Sequence, residues 1–242
     1  MWATTIGAVL GPNLVGPGEA LGRLVGMPTL TGAYLFTIVA QVAAIALYLI
    51  WLRPDPLLLA QRIATDHVAG DTVTDRPDQP HRARFAILAI AATHTVMISV
   101  MAMTPVHLIH HGAELTVIGL TISLHIAGMY ALSPVFGALS DRIGRIPTVL
   151  VGQAILVASL LLAVVGQSSV PVVGASLILL GLGWSASTVA GAALLTESTA
   201  PRLRTRRQGR SDLIMNLVGA AGATGAGVLL DLIAFRASRQ WG

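Results

Sequence analysis

Apolar runs of about twenty residues follow one another along this chain, and that succession constrains its fold more than any other feature. A helix rises about 1.5 Å per residue, so one such run crosses a hydrocarbon layer of about 30 Å. A water-soluble core buries one or two such runs but not a series. Lipid is therefore the solvent, and the fold class is all-α, a polytopic transmembrane helix bundle. Charged residues make up 11% of the chain, against roughly 25% in soluble domains, as a lipid-embedded protein requires.

Seven apolar stretches can be marked, which predicts about seven transmembrane helices. They are Thr4 to about Val15, which is short and rich in Gly and Pro, then Gly32–Leu52, Phe85–His107, Thr116–Leu139, Thr148–Val165, Val170–Leu195 and Leu213–Phe235. Tyr34, Tyr48 and Trp51 lie near the ends of the second, where amphipathic rings favour the headgroup level. One long polar segment, Arg53–Arg84, divides the series; its five Arg, five Asp and scattered Pro predict a solvated cytoplasmic linker. With that linker inside, twelve arginines fall on the inner side and three on the outer, as the positive-inside rule asks of seven spans. The outer three are Arg23 and, in the terminal tail, Arg236 and Arg239. Met1–Ile6 carries no positive charge, so no cleavable leader is expected.

Composition also excludes functions. All fifteen basic residues are arginine, so Schiff-base chemistry with retinal or pyridoxal, and a Walker lysine, are out of reach. The chain has no Cys, hence no disulfide and no thiolate site. The arginines sit in short loops rather than on one basic face, so they read as topology signals and no nucleic-acid partner is expected. HExxH and GxSxG are absent, and an enzyme finds no support.

Between the fourth and fifth stretches the chain reads Gly137-Ala-Leu-Ser-Asp141-Arg142-Ile-Gly144-Arg145-Ile-Pro-Thr-Val-Leu150. Gly137 suits a close helix approach, Asp141 a positive helix N-terminus, Gly144 a tight turn, and Arg145 a pair with an acid on a neighbouring helix. This loop resembles the signature loop of the major facilitator superfamily, Gly-x-Leu-(Ala)-Asp-Arg-x-Gly-Arg-(Lys/Arg), with departures only at Ser140 and Ile146. A second stretch, Gly7-Ala-Val-Leu-Gly11-Pro12-Asn-Leu-Val-Gly16, resembles the Gly-x-x-x-Gly-Pro-x-x-Gly-Gly motif on helix five of proton-coupled exporters, with Val15 in place of a glycine. The resemblance implies a partial transporter fold: residues 1–52 as the last two helices of the N-terminal half, 53–84 as the central linker, and 85–242 as a C-terminal half lacking its last helix. It also implies that Glu197 pairs with Arg145 as a cytoplasmic gate. Asp212, at the start of the last apolar stretch, reads as an N-cap.

Within the spans, His94 and His125 are ionisable groups in an apolar setting, which makes them candidate proton or polar substrate contacts; a neutral ring hydrogen-bonded to another helix is the stronger account of them. Met97 and Met101 share the face of His94, yet no carboxylate or thiol joins them, so neither a metal site nor a cofactor is expected. Gly181, Gly183, Trp184 and Ser185 line either a cavity or a packed interface. Asn216 heads a stripe with Gly219, Gly222 and Gly225 that suits close packing or a cavity wall, and Asp231 lies deep toward its outer end. His107, His110, His111 and Glu114 read as an outer loop.

The resemblance implies secondary active transport of a small molecule across the cell's inner (plasma) membrane, proton-coupled and directed outward, by alternating access of two helix bundles. The alternative is a truncated remnant of such a transporter that does not transport. The partners expected are a small-molecule substrate, a proton and the lipid bilayer.

Overall fold

Each of the seven apolar stretches lies in helix, but several boundaries move for local reasons. The computed structural model describes residues 2–28, 31–53, 55, 58–59, 77–110 and 112–240, with residues 2–5, 8, 110, 115 and 228–240 described by their backbone alone. Helices α1 (Trp2–Asn13), α2 (Val15–Leu24) and α3 (Ala33–Trp51) precede the linker. After it come α4 (Pro80–His110), α5 (Leu115–Tyr130), α6 (Ser133–Ile143), α7 (Arg145–Val165), α8 (Val170–Glu197) and α9 (Arg204–Gln240). Most of the linker, and His111, lie outside the described residues.

Among the described residues five helical segments are long and apolar enough to cross a membrane: Ala33–Trp51, Pro80–Ile109, Thr116–Ile143, Arg145–Val165 and Val170–Glu197. The first expected stretch is not among them, because its helix breaks at Leu14, just after Pro12, leaving a first helix of 12 residues. The seventh lies within the 37 residues of α9, whose side chains from 228 onward, Asp231, Arg236 and Arg239 included, are outside those described.

Three boundaries differ from expectation. Helix α4 begins at Pro80, so the end of the expected linker is already helical; proline is well placed in a first turn, where its missing N–H costs nothing. The fourth span is interrupted at Ala131–Leu132, where Pro134 enters the first turn of α6 and the Ser133 hydroxyl donates to the Tyr130 carbonyl at 2.7 Å. Helix α9 begins at Arg204, after a short 3-10 turn at Pro201–Leu203. Asp212 therefore lies well inside the helix and is not its N-cap.

The chain divides into two units, one of Met1–Pro12 with Pro77–Gly242, the other of Asn13–Arg76. In the smaller unit α2 meets α3 through glycines: a Cβ on Gly18 would stand 2.7 Å from the Ala33 Cα, and one on Gly22 2.9 Å from the Gly32 Cα. Helix α3 buries none of its own side chains, so its apolar surface needs lipid or another helix to cover it.

In the larger unit α8 is the central helix and touches α4, α5, α6 and α7. Small residues permit this. A Cβ on Gly183 would come 2.9 Å from the Gly152 carbonyl oxygen of α7, and one on Gly128 of α5 3.0 Å from the Ile178 oxygen. Two apolar clusters result. Leu108, Ile118, Leu156, Val173, Leu177 and Leu180 fill the outer part, and Ala83, Ala86, Leu194 and Leu195 the arginine-rich end. Between them lies a polar layer.

Candidate functional site

The turn between α6 and α7 is built as its residues dictate. Gly144 has φ 98°, a left-handed backbone that a side chain disfavours, and it ends α6 and opens α7 in one step. The turn brings Arg145 onto Asp141 and, 52 residues along the chain, onto Glu197 at the end of α8. Its Nε and Nη2 both donate to Glu197 Oε1, at 3.0 and 2.7 Å, while Nη1 donates to Asp141 Oδ1 and to Ser140 Oγ. One guanidinium thus ties the ends of three helices. A cavity of about 400 Å³ opens beside it, reaching Arg82 on α4.

Two residues of the loop behave otherwise than expected. No neighbouring atom lies within 4 Å of where a Gly137 Cβ would stand, so among the described residues this glycine serves no close helix approach. Asp141 occupies the last turn of α6, a negative helix end, and its charge is met by Arg145 rather than by a helix N-terminus. Arg142 is exposed.

A second clasp sits at the same end. Arg207 on α9 donates to both oxygens of Asp78, at 2.8 and 2.6 Å, and Asp78 Oδ1 also accepts from the Ala200 N–H at 3.2 Å. The Gln79 N–H adds a bond to the Ser198 carbonyl at 2.9 Å. The Arg207 guanidinium holds the Asp78 carboxyl below the usual carboxylate range, against a smaller opposing effect of burial. Asp78 thus satisfies the loop before α9, the kind of role expected of Asp212.

Midway along the helices the polar side chains are of another kind. Gln153 of α7 donates to Thr93 Oγ1 of α4 at 2.6 Å and to Ser187 Oγ of α8 at 3.3 Å. This register puts His94 and Trp184 within one turn of each other in depth. His94 packs on Gly219, where a Cβ would stand 2.9 Å from its Cδ2, and its buried Nδ1 has no partner among the described residues. Trp184 meets Tyr130 edge to face, with ring centroids 5.8 Å apart, and its Nε1 is likewise buried without a partner. Ser185 Oγ and Thr188 Oγ1 share that condition. Buried His125 has Nδ1 2.8 Å from the Leu177 carbonyl. A carbonyl only accepts, so Nδ1 carries the proton and Nε2, which has no partner, is a bare acceptor in the neutral ring. The Asn216 amide nitrogen donates one of its two hydrogens to the Asp212 carbonyl of its own helix at 2.7 Å.

The glycine-rich motif runs from α1 into α2. Cβ atoms on Gly7, Gly11 and Gly16 would meet nothing within 4 Å. Contact is made instead by backbone carbonyls: Val9 accepts from Ser123 Oγ of α5 at 3.0 Å, and the Pro12 oxygen lies 3.1 Å from a Cβ built on Gly119.

The family model of the Major Facilitator Superfamily matches residues 85–238, more than half of the chain. The chain belongs to the major facilitator superfamily. Two uncharacterized MFS-type transporters of Bacillus subtilis (strain 168) are similar to it: YddS is 37% identical over 236 residues and YdeG 36% identical over 233. Each match covers 94% of this chain and 54% of the relative, so the chain spans about half the length of the curated relatives it matches. No solved structure matches. As a member of this superfamily the chain is a multi-pass membrane protein of a transporter family, with a partial version of its helix bundle.

Within this superfamily member, several residues escaped the sequence reading. Gln153 could have been found, as an amide inside the apolar run of α7 is itself a signal. Thr93, Ser187 and Thr188 could not, since hydroxyls are common in membrane helices. Asp78 was one carboxylate among five in the linker, and only the fold singles it out.

Proposed function

We propose that this chain is part of a secondary transporter that moves a small molecule by alternating access, with residues 1–52 as the last two helices of the N-terminal half, 53–84 as the central linker and 85–242 as most of the C-terminal half. The observation that carries the reading is Arg145 held jointly by Asp141 and Glu197, which ties the ends of α6, α7 and α8. Such a tie is released when the helix ends separate, and it reforms when they close, so it biases one of two states. Gly137, Arg142 and Gly144 belong to the same gate; Gly7, Gly11, Pro12 and Gly16 belong to the exporter-like helix. The polar layer holding His94, His125 and Trp184 is the substrate and proton contact, with Asn216 on the facing helix. In this reading transport is outward, proton-coupled, and located in the inner (plasma) membrane.

The test is transport in inverted vesicles carrying the chain, energised by an imposed pH gradient and challenged with a panel of small organic cations and neutral drugs. Gradient-dependent accumulation that a protonophore abolishes supports the reading. A second reading, a chain that does not transport by itself, draws on its covering about half the length of its relatives. Accumulation equal to that of empty-vector vesicles across the panel favours it.

A further inference from the structure

At the arginine-rich end, α4 and α9 run side by side and enclose a groove of about 470 Å³. Their register is fixed deeper in the bundle, where Gly219 meets His94 and Gly222 meets Thr95 and Ser99. Carried back along the two parallel helices, that offset sets Arg84 level with Arg210, and Ile87 and Leu88 level with Ile214 one turn deeper. The groove is therefore cationic at its mouth and apolar below. Its third guanidinium, Arg207, is compensated by Asp78, but Arg84 and Arg210 have no ion-pair partner among the described residues. Among the described residues no acid lines the groove.

We propose that this groove is a binding site for an anionic phospholipid, with the headgroup phosphate between Arg84 and Arg210 and an acyl chain along Leu88 and Ile214. Two features select a lipid over a free phosphate. The apolar floor gives a small anion nothing to bind, and Leu88 is 67% exposed at a depth where only an acyl chain or another apolar surface covers it. The unmatched charge lies where a basic pocket between membrane helices meets anionic headgroups.

The experiment uses the full 242-residue chain in dodecyl maltoside micelles, titrated with dioleoylphosphatidylglycerol or with dioleoylphosphatidylcholine and read by native mass spectrometry. Phosphatidylglycerol is expected to be retained on the wild type at concentrations where phosphatidylcholine is not. Arg84→Gln with Arg210→Gln should weaken its retention about thirtyfold, the attraction of two surface arginines for an anionic headgroup. The charge-matched pair Arg202→Gln with Arg206→Gln, which lies outside the groove, should change it less than about threefold. Leu88→Asn keeps every charge and disturbs no packed core, and should weaken retention several-fold. Equal retention of the two lipids, equal loss in both double variants, unchanged binding by Leu88→Asn, or displacement by millimolar glycerol phosphate would each overturn the assignment.

Discussion

The water end of the bundle and its midplane treat polar groups in opposite ways. At the end, where charge is cheapest, Arg145, Asp141, Glu197, Asp78 and Arg207 are all paired. At midplane, where an unmet donor or acceptor costs about 1–3 kcal/mol, His94, His125, Trp184, Ser185 and Thr188 each keep one buried atom without a partner among the described residues. Stability alone would arrange the reverse. The paired end is too exposed for its ion pairs to hold the fold: the side chains of Arg145, Asp141 and Glu197 are 24%, 66% and 47% exposed, and such pairs are worth about 0.2–1 kcal/mol. In the proposed reading their value is that they can be broken and remade. The unpaired midplane holds capacity in reserve, which a ligand can use.

The largest effect expected from this contrast is at Arg145. Arg145→Gln should cut gradient-driven transport at least about tenfold, since each ~1.4 kcal/mol of lost latch preference is one decade in the balance of states. Its thermal unfolding in micelles should shift by no more than about 1 kcal/mol. If the variant unfolds readily while the folded fraction transports at the wild-type rate, the latch is structural and the contrast fails. Next comes the midplane amide that joins three helices. Gln153→Leu leaves Thr93 and Ser187 without their shared donor and should cost about 1–2 kcal/mol in denaturation from mixed micelles, near the upper range for polar contacts between membrane helices. An unaltered transition would mean that the layer is not held by this amide.

Thr188→Val sharpens the comparison from the other side. It replaces an unpartnered hydroxyl by a methyl group of like size, so it should leave stability unchanged or raise it by up to about 1 kcal/mol while raising the KM for transport. Destabilisation would reveal a partner and take Thr188 out of the unpartnered layer beside Trp184.

What the sequence made legible follows the same division. The turn at Gly144 was readable because a run of short-range requirements coincides there, and the left-handed φ of 98° meets them. The Arg145–Glu197 contact was readable only through the family resemblance, because 52 residues separate the partners and no local pattern links them. Asp212 misled, since arginine and glutamine are good helix formers and carry α9 back to Arg204, directly after the 3-10 turn that Pro201 opens. The motif at Gly7, Gly11 and Gly16 was visible by resemblance, but that α1 meets α5 at Gly119 and not at its own glycines is a tertiary fact. His94 and Trp184 were visible as polar groups in apolar runs; that their ring nitrogens lack partners is a tertiary fact.

The smallest effect expected is at Asp78, and it carries a sign that tests the paired end directly. Its carboxyl titrates below the ordinary aspartate value of about 3.9, chiefly because the Arg207 guanidinium donates to it. A carboxylate whose folded-state pKa is depressed contributes stability that is fully present above the unfolded value and is lost as pH falls through the folded one. Asp78→Asn should therefore lower the melting temperature at pH 7 by no more than roughly a few degrees, as befits a partly exposed pair. As pH falls below about 4 the difference between wild type and variant should begin to shrink, because the unfolded wild-type carboxyl protonates first, and it should vanish only below the depressed folded-state value, where the carboxyl is protonated in both states. A difference that stays constant from pH 7 to pH 3 would mean that the backbone bond to Ala200, and not the ion pair with Arg207, is what Asp78 contributes.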